Sequence, residues 1–189
     1  MKQAEGDEGL PELVAAVQEG DGQALETLIR HFRPRIFRFC LARLGDQQLA
    51  EDVTQETCVA LVSALPTYED RGHRLSSFVF GIAANKVAME RRSAARRPST
   101  TGDDVLVERA STNPGPEDTV VLADQVRALA EPLAALSDRD REVLLLRVVA
   151  QLSADEVGQA LGMSSGAVRV AQHRALKSVR ARLEGGGRR

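Results

Sequence analysis

The sequence predicts an all-α protein of two small helical domains joined by a flexible acidic linker, the second a helix-turn-helix domain, and three observations carry that prediction. Apolar residues recur at helical spacing through almost all of the 189 residues. No alternating run of β-branched residues bounded by turn signals occurs. One stretch, Pro98 to Asp118, breaks the pattern with PSTTGDD and STNPGPED, rich in Pro, Gly, Ser, Thr and Asp, and marks a domain boundary. The expected division is a first domain over 10–97, a linker over 98–118 and a second domain over 119–185.

The elements follow in chain order. Leu25, Leu28, Ile29 and Phe32 form a stripe that resumes after Pro34 as Ile36, Phe37, Cys40, Leu41 and Leu44 and ends at Gly45. A proline inside such a stripe removes a backbone donor and crowds the preceding turn, which predicts a kink or a restart. Asp46 reads as the N-cap of a helix carrying Leu49, Val53, Thr57, Leu61 and Leu65 and stopped by Pro66. A polar segment runs from Thr67 to Arg74, and the next helix from about Ser76 to Arg97, with Phe78, Val79, Ile82, Ala83 and Val87 as its apolar members. Beyond the linker, Leu122, Val126, Leu129, Leu133 and Leu136 keep helical spacing, followed by Val143, Leu144, Val148 and Val149. Two last helices, about Ala154 to Leu161 and Ser165 to Leu183, are separated only by Gly162, Met163 and Ser164. All six aromatic rings lie between positions 32 and 80, so the second domain must build its core from Leu, Val, Ala and Met.

A net charge of -2 argues against a uniformly basic nucleic-acid binder, but the charge is segregated. Residues 1–28 hold one base and seven acids, and residues 98–131 hold two bases and seven acids. Residues 75–97 carry Lys86, Arg91, Arg92, Arg96 and Arg97 against Glu90 alone, and residues 153–189 carry seven bases against three acids. Two basic helices in two domains point to contact with nucleic acid at two places.

Other classes are not supported. The two cysteines, Cys40 and Cys58, stand singly in helical apolar patterns and read as buried free thiols. Three scattered histidines and the absence of G-x-x-x-x-G-K or H-E-x-x-H leave no catalytic residue, metal site or cofactor to expect. The N-terminus MKQAEGDEGLPE is acidic where a secretory signal is basic and then apolar, and no apolar run approaches the ~20 residues of a membrane span. The expected location is the cytoplasm, without membrane insertion.

The segment LSADEVGQALGMSSGAVRVAQHRAL carries the most specific local signal. Ser153 and Glu156 have capping-box spacing. Gly158 stands where two steeply crossing helices need a small residue, and Gly162 supplies the left-handed turn. Ser164 caps the second helix, on which Val168, Ala171, Ala175, Val179 and Leu183 pack back. The outward ridge is Gly166, Arg169, His173 and Lys177, with Ser165, Gln172 and Arg174 beside it. Arg suits guanine edges and Gln adenine, and small residues let the helix N-terminus approach the DNA backbone, so the ridge reads as a major-groove reader.

In the first domain, the helix from Asp46 presents Glu51, Asp52, Gln55 and Glu56 opposite its apolar stripe. The segments DQQLAEDVTQETCVALVSALPTY and LSSFVFGIAANKVAMERRSAARR, followed by the helix-turn-helix, resemble the extracytoplasmic-function branch of bacterial RNA polymerase sigma factors, from about Leu13 to Leu183. That resemblance implies a promoter-specificity subunit whose partners are core RNA polymerase (β′ and β subunits), promoter DNA and, as in many relatives, an anti-sigma protein. It implies core binding through Asp52, Gln55 and Glu56, with Glu51 on the same face. It implies capture of melted minus-ten DNA by the segment Tyr68 to Arg74, including Arg71 and His73, with Asn85 and Lys86 on the next helix. Arg91 and Arg92, spread over more than one face with Arg96 and Arg97, suit phosphate contact. Tyr68 stands out as the clearest exposed ring for stacking on bases. Ser164, Ser165, Gly166, Arg169, Gln172, His173, Arg174 and Lys177 would face the minus-thirty-five element. The acidic linker is either a plain tether or a polyanion mimic threading polymerase channels. A helix-turn-helix regulator acting without polymerase, or a helical adaptor for acidic proteins, are the alternatives to the sigma reading.

Overall fold

A computed structural model of the chain describes residues 9–70, 74–96 and 130–186. In the first domain, α1 spans Leu10–Gln18, α2 Gly22–Leu44, α3 Gln47–Ala64 and α4 Leu75–Arg96, with a 3-10 turn over Leu65–Thr67. In the second, α5 spans Ala130–Ala134, α6 Asp138–Val148, α7 Ala154–Leu161 and α8 Ser165–Gly186. Among the described residues there is no strand. The expected linker over 98–118, together with Leu122, Val126 and Leu129, lies outside the described residues.

Helix boundaries follow from local chemistry. The Asp21 carboxylate accepts from the Gln23 and Ala24 amides at 2.7 and 3.2 Å, and Asp46 accepts from Leu49 N–H at 2.9 Å, each satisfying donors that α2 and α3 leave free. α2 runs without interruption through Pro34, so the restart expected there does not occur. Pro34 and Arg30, whose carbonyl loses its donor, both lie on the exposed face, open to solvent. Meanwhile Leu28, Phe32, Ile36 and Phe39 on the opposite face are fully buried and hold both halves of the helix to the core.

That core gathers α2, α3 and α4 around Phe39 and Phe80, whose rings meet edge to face at 6.1 Å. Cys40 is buried there and Cys58 half-buried, both as free thiols. Burial pushes the Cys40 thiol up to about 12, outweighing its hydrogen bond with Thr54, which makes it unreactive. The second domain buries Val143, Leu146, Leu152, Val157, Val168 and Ala175, aliphatic as composition requires. Arg141 lies across the end of α5, donating to the carbonyls of Leu133, Ala134 and Leu136 at 2.8, 2.8 and 3.3 Å, and so caps that short helix.

Candidate nucleic-acid and polymerase interfaces

The helix-turn-helix is built as its sequence requires. Ser153 and Glu156 form a reciprocal capping box, with the Glu156 N–H donating to Ser153 Oγ at 3.2 Å and the Ser153 N–H donating to Glu156 Oε2 at 2.7 Å. Gly162 adopts φ 64°, and its amide and that of Met163 both donate to the Gly158 carbonyl. A Cβ on Gly158 would lie 2.6 Å from the Met163 carbonyl oxygen, so the turn closes onto space that only glycine leaves. Ser164 Oγ accepts from the Ala167 amide at 3.2 Å and starts α8.

α8 buries Val168, Ala171 and Ala175, with Val179 half-buried, and presents Gly166, Arg169, His173 and Lys177 outward, all exposed. Leu183, expected to pack back, is 52% exposed because α8 extends past the body of the domain. Two flanking residues are tied inward. The Arg174 guanidinium grips the Asp140 carboxylate through Nε at 2.8 Å and through Nη2, and Gln172 Oε1 accepts from Arg147 Nε at 2.9 Å. Arg147 also donates to the Leu152 carbonyl, so α6, the loop before α7 and α8 share one network.

The Arg174 hydrogen bond holds the Asp140 carboxyl below the usual range, against an opposing effect of burial. A carboxyl depressed in the folded state contributes stability that is present above its unfolded value of about 3.9 and lost as pH falls through the folded value. Asp140→Asn is expected to cost about 1 kcal/mol at pH 7, a figure reduced for the solvent around Arg174. It should also flatten the stability loss between pH 5 and 2; chemical denaturation followed across that range checks both.

On α3, Glu51, Asp52, Gln55 and Glu56 are all exposed and form one face, as expected. Val59 (60% exposed) continues it toward the C-terminal end, at i, i+3, i+4 and i+7 from Asp52. The sequence reading passed over Val59, although an apolar residue off the buried stripe could have flagged it. Glu56 is joined to Lys86 of α4 at 3.0 Å, so a residue of the acidic face meets one expected at minus-ten DNA.

The minus-ten candidates divide among different surroundings. Arg71 and His73 lie outside the described residues. Tyr68 is half-buried, its ring 5.0 Å from Phe78 and its carbonyl accepting from Gln18 at 2.7 Å, so it is not the exposed ring that was expected. It walls a cavity of about 460 Å³ together with Leu10, Val14 and Gln18 of α1 and Asp70, Arg74 and Ser76, within the ~300–1,000 Å³ typical of small-ligand pockets. The sequence reading missed both α1 and this cavity; Leu10, Val14 and Val17 at helical spacing behind Pro11 were the available signal. On α4, Asn85 and Arg92, seven residues apart, share one exposed face. Arg91 instead turns toward α6 and pairs with Asp138 at 2.7 Å, and exposed Arg74 stands 3.9 Å from Glu156.

A helix-turn-helix with an open cationic ridge, following a first helical domain with an exposed acidic face, defines a DNA-binding protein of two modules. Comparison with known proteins gives its family. The profile described as Sigma-70 region 2 matches residues 28–97, and that described as Sigma-70, region 4 matches residues 133–181. The chain is 45% identical over 179 residues to the ECF RNA polymerase sigma factor ShbA of Streptomyces griseus, covering 91% of this chain and 94% of that protein. It is 42% identical to the ECF RNA polymerase sigma factor SigD of Mycobacterium tuberculosis, covering 95% and 86%. The fold matches CnrH, solved in complex with the cytosolic domain of CnrY, with a TM-score of 0.69 over 95% of this chain and 98% of that one at 22% identity. It also matches RpoE, solved with the anti-sigma factor NepR from Bartonella quintana, with a TM-score of 0.65 over 84% and 96% at 18% identity. The chain belongs to the ECF RNA polymerase sigma factors. It is a sigma factor that binds core polymerase and directs promoter recognition and initiation.

Proposed function

We propose a division of that work among named surfaces. The α3 face of Glu51, Asp52, Gln55 and Glu56 docks on core polymerase, with Val59 as an apolar anchor beside the charges. The cavity behind Tyr68, with Arg74 at its edge, accepts an unpaired minus-ten base, because it combines a concave wall, an aromatic ring and a cation. Arg71, His73, Asn85, Lys86, Arg91 and Arg92 supply the surrounding contacts to melted DNA and its phosphates. The α8 ridge enters the minus-thirty-five major groove, with Ser164, Ser165 and Gly166 close to the backbone and Arg169, His173 and Lys177 at base edges and phosphates. Gln172 and Arg174, tied to Arg147 and Asp140, set the position of that ridge. Val170, 63% exposed on the same helix, suits contact with a thymine methyl.

The protein acts without covalent chemistry of its own, and its place of work is the cytoplasm. Among the described residues no His, Cys, Asp and Glu cluster suited to a metal occurs, and no helix is long and apolar enough to cross a membrane. Many relatives are held by anti-sigma proteins, and one is a candidate partner here.

The observation that best supports this reading is the open Gly166–Arg169–His173–Lys177 ridge on a capped, glycine-turned second helix. Run-off transcription with purified core polymerase, with and without this protein, on a library of genomic fragments tests it. Promoter-dependent transcripts should appear only with the protein; their absence sinks the reading. Arg169→Ala should cost about 1–3 kcal/mol of holoenzyme affinity for such a promoter and relax specificity at one position, measured by competition binding at fixed salt.

A further inference from the structure

On the outward face of α8 one side chain does not match its neighbours. Gly166, Arg169, His173 and Lys177 are small, polar or cationic, yet Val170 stands among them at 63% exposure, the most exposed large apolar side chain among the described residues. Seven residues bring a helix back to nearly the same face, so Val170 shares its bearing with Lys177. Helix stability does not require valine there, because β-branching lowers helix propensity and the position packs against nothing in the core.

The surroundings keep this side chain bare. One turn before it stands Gly166, where even a Cβ would meet only Ser164 Oγ at 4.0 Å. One turn after it stands Arg174, whose side chain would lie back over Val170, since helical side chains lean toward the N-terminus. The Arg174 guanidinium is drawn instead to the Asp140 carboxylate of α6, with Nε donating at 2.8 Å. On a helix valine also keeps a single χ1 rotamer in roughly nine cases of ten. Its two methyl groups are therefore held in one place, with little freedom left to lose on contact.

The major groove offers such a group one complementary partner. Base edges there present N7, O6 and O4 acceptors, amino donors and the C5-methyl of thymine, the only apolar group in the set. Cytosine carries hydrogen at C5, and 5-methylcytosine regains the methyl. We infer that Val170 is a reader of pyrimidine 5-methyl groups, so that recognition of the minus-thirty-five element depends on one thymine methyl and responds to cytosine methylation placed at the same position. The inference rests on the major-groove reading of α8 given above. Within that reading Arg169 supplies hydrogen bonds to a guanine edge, and Val170 supplies apolar contact to a neighbouring pyrimidine.

The experiment uses holoenzyme assembled from the full chain and core polymerase, on a duplex promoter recovered by run-off transcription. Each thymine of the minus-thirty-five element is replaced singly by deoxyuridine, which removes the methyl and leaves pairing with adenine intact. Competition binding at fixed salt is the readout. With the wild-type protein one replacement should weaken binding about three- to fivefold, the effect of one buried methyl group. In Val170→Ala that penalty should disappear, thymine and uracil binding alike. A C·G pair at the same position should bind about three- to fivefold more tightly when its cytosine is 5-methylated, in the wild type and not in Val170→Ala.

An equal uracil penalty in both proteins, or a minus-thirty-five element with no uracil-sensitive thymine, overturns the methyl reading while Arg169→Ala still weakens binding. Unchanged binding in Arg169→Ala removes the major-groove reading of α8, and the role of Val170 with it. Uracil sensitivity without a response to cytosine methylation confines Val170 to thymine and overturns the second half of the inference.

Discussion

Gly158→Ala is expected to collapse the helix-turn-helix. The added methyl would lie 2.6 Å from the Met163 carbonyl oxygen and 3.5 Å from the Ser165 amide nitrogen, both backbone atoms fixed by the turn they form. No side chain can rotate away to admit it. Forced overpacking of this kind costs about 1–3 kcal/mol, occasionally more. A domain the size of α5–α8, at ~0.05–0.15 kcal/mol per residue, has only some 3–9 kcal/mol in hand. The transition reporting the second domain should fall by about 10–15 °C, at ~4–8 °C per kcal/mol in so small a unit. Gly166→Ala is the matched control. A Cβ there meets only Ser164 Oγ at 4.0 Å, so alanine's better helix propensity should leave stability unchanged or raised by up to ~1 kcal/mol. Equal melting of the two variants would remove the close-approach account of Gly158.

The same turn shows why the second domain was so readable. The capping box, Gly158, Gly162 and Ser164 each act within a few residues of themselves, and local chemistry is what sequence spacing reports. Helix boundaries in the first domain were legible for that reason, through Asp46 and Gly45. Pro34 does not restart the helix because the rule for proline is local, whereas the burial of Phe32, Ile36 and Phe39 on the opposite face is not. Site residues divide along the same line. The outward ridge of α8 and the acidic face of α3 follow from helical period alone. By contrast, Arg174 with Asp140, Lys86 with Glu56 and Arg91 with Asp138 join residues 30 to 47 positions apart. No periodicity announces such pairs, so cations that looked equally available in sequence turn out to be tied inward, tied across domains or free. Tyr68 changed from an exposed ring to the wall of a cavity for the same reason, since α1 supplies the opposite wall from 50 to 58 residues upstream.

Reversing charge on α3 is the second large effect expected. Asp52 and Glu56 are exposed one helical turn apart on α3, and neither contributes to the core. Among the described residues Asp52 accepts a long bond from Gln48 at 3.5 Å, and Glu56 meets Lys86 at 3.0 Å on the surface. Surface substitutions of this kind move stability by about 0.5 kcal/mol or less, so Asp52→Lys/Glu56→Lys should fold as the wild type does, with an unchanged circular dichroism spectrum and melting temperature. On the docking proposed for α3, the reversed charges would meet a partner suited to carboxylates, which costs several kcal/mol, and 1.4 kcal/mol is tenfold in affinity. Core polymerase binding, measured by fluorescence anisotropy, should therefore weaken at least a hundredfold. Val59→Ser, which alters no charge, should weaken it far less, by about two- to tenfold, through lost apolar burial, and its effect should persist at high salt while that of the charge reversal shrinks. Retained core binding in the charge-reversed protein would move the docking surface elsewhere, because a folded chain with two reversed charges on the proposed docking face would not keep the wild-type affinity.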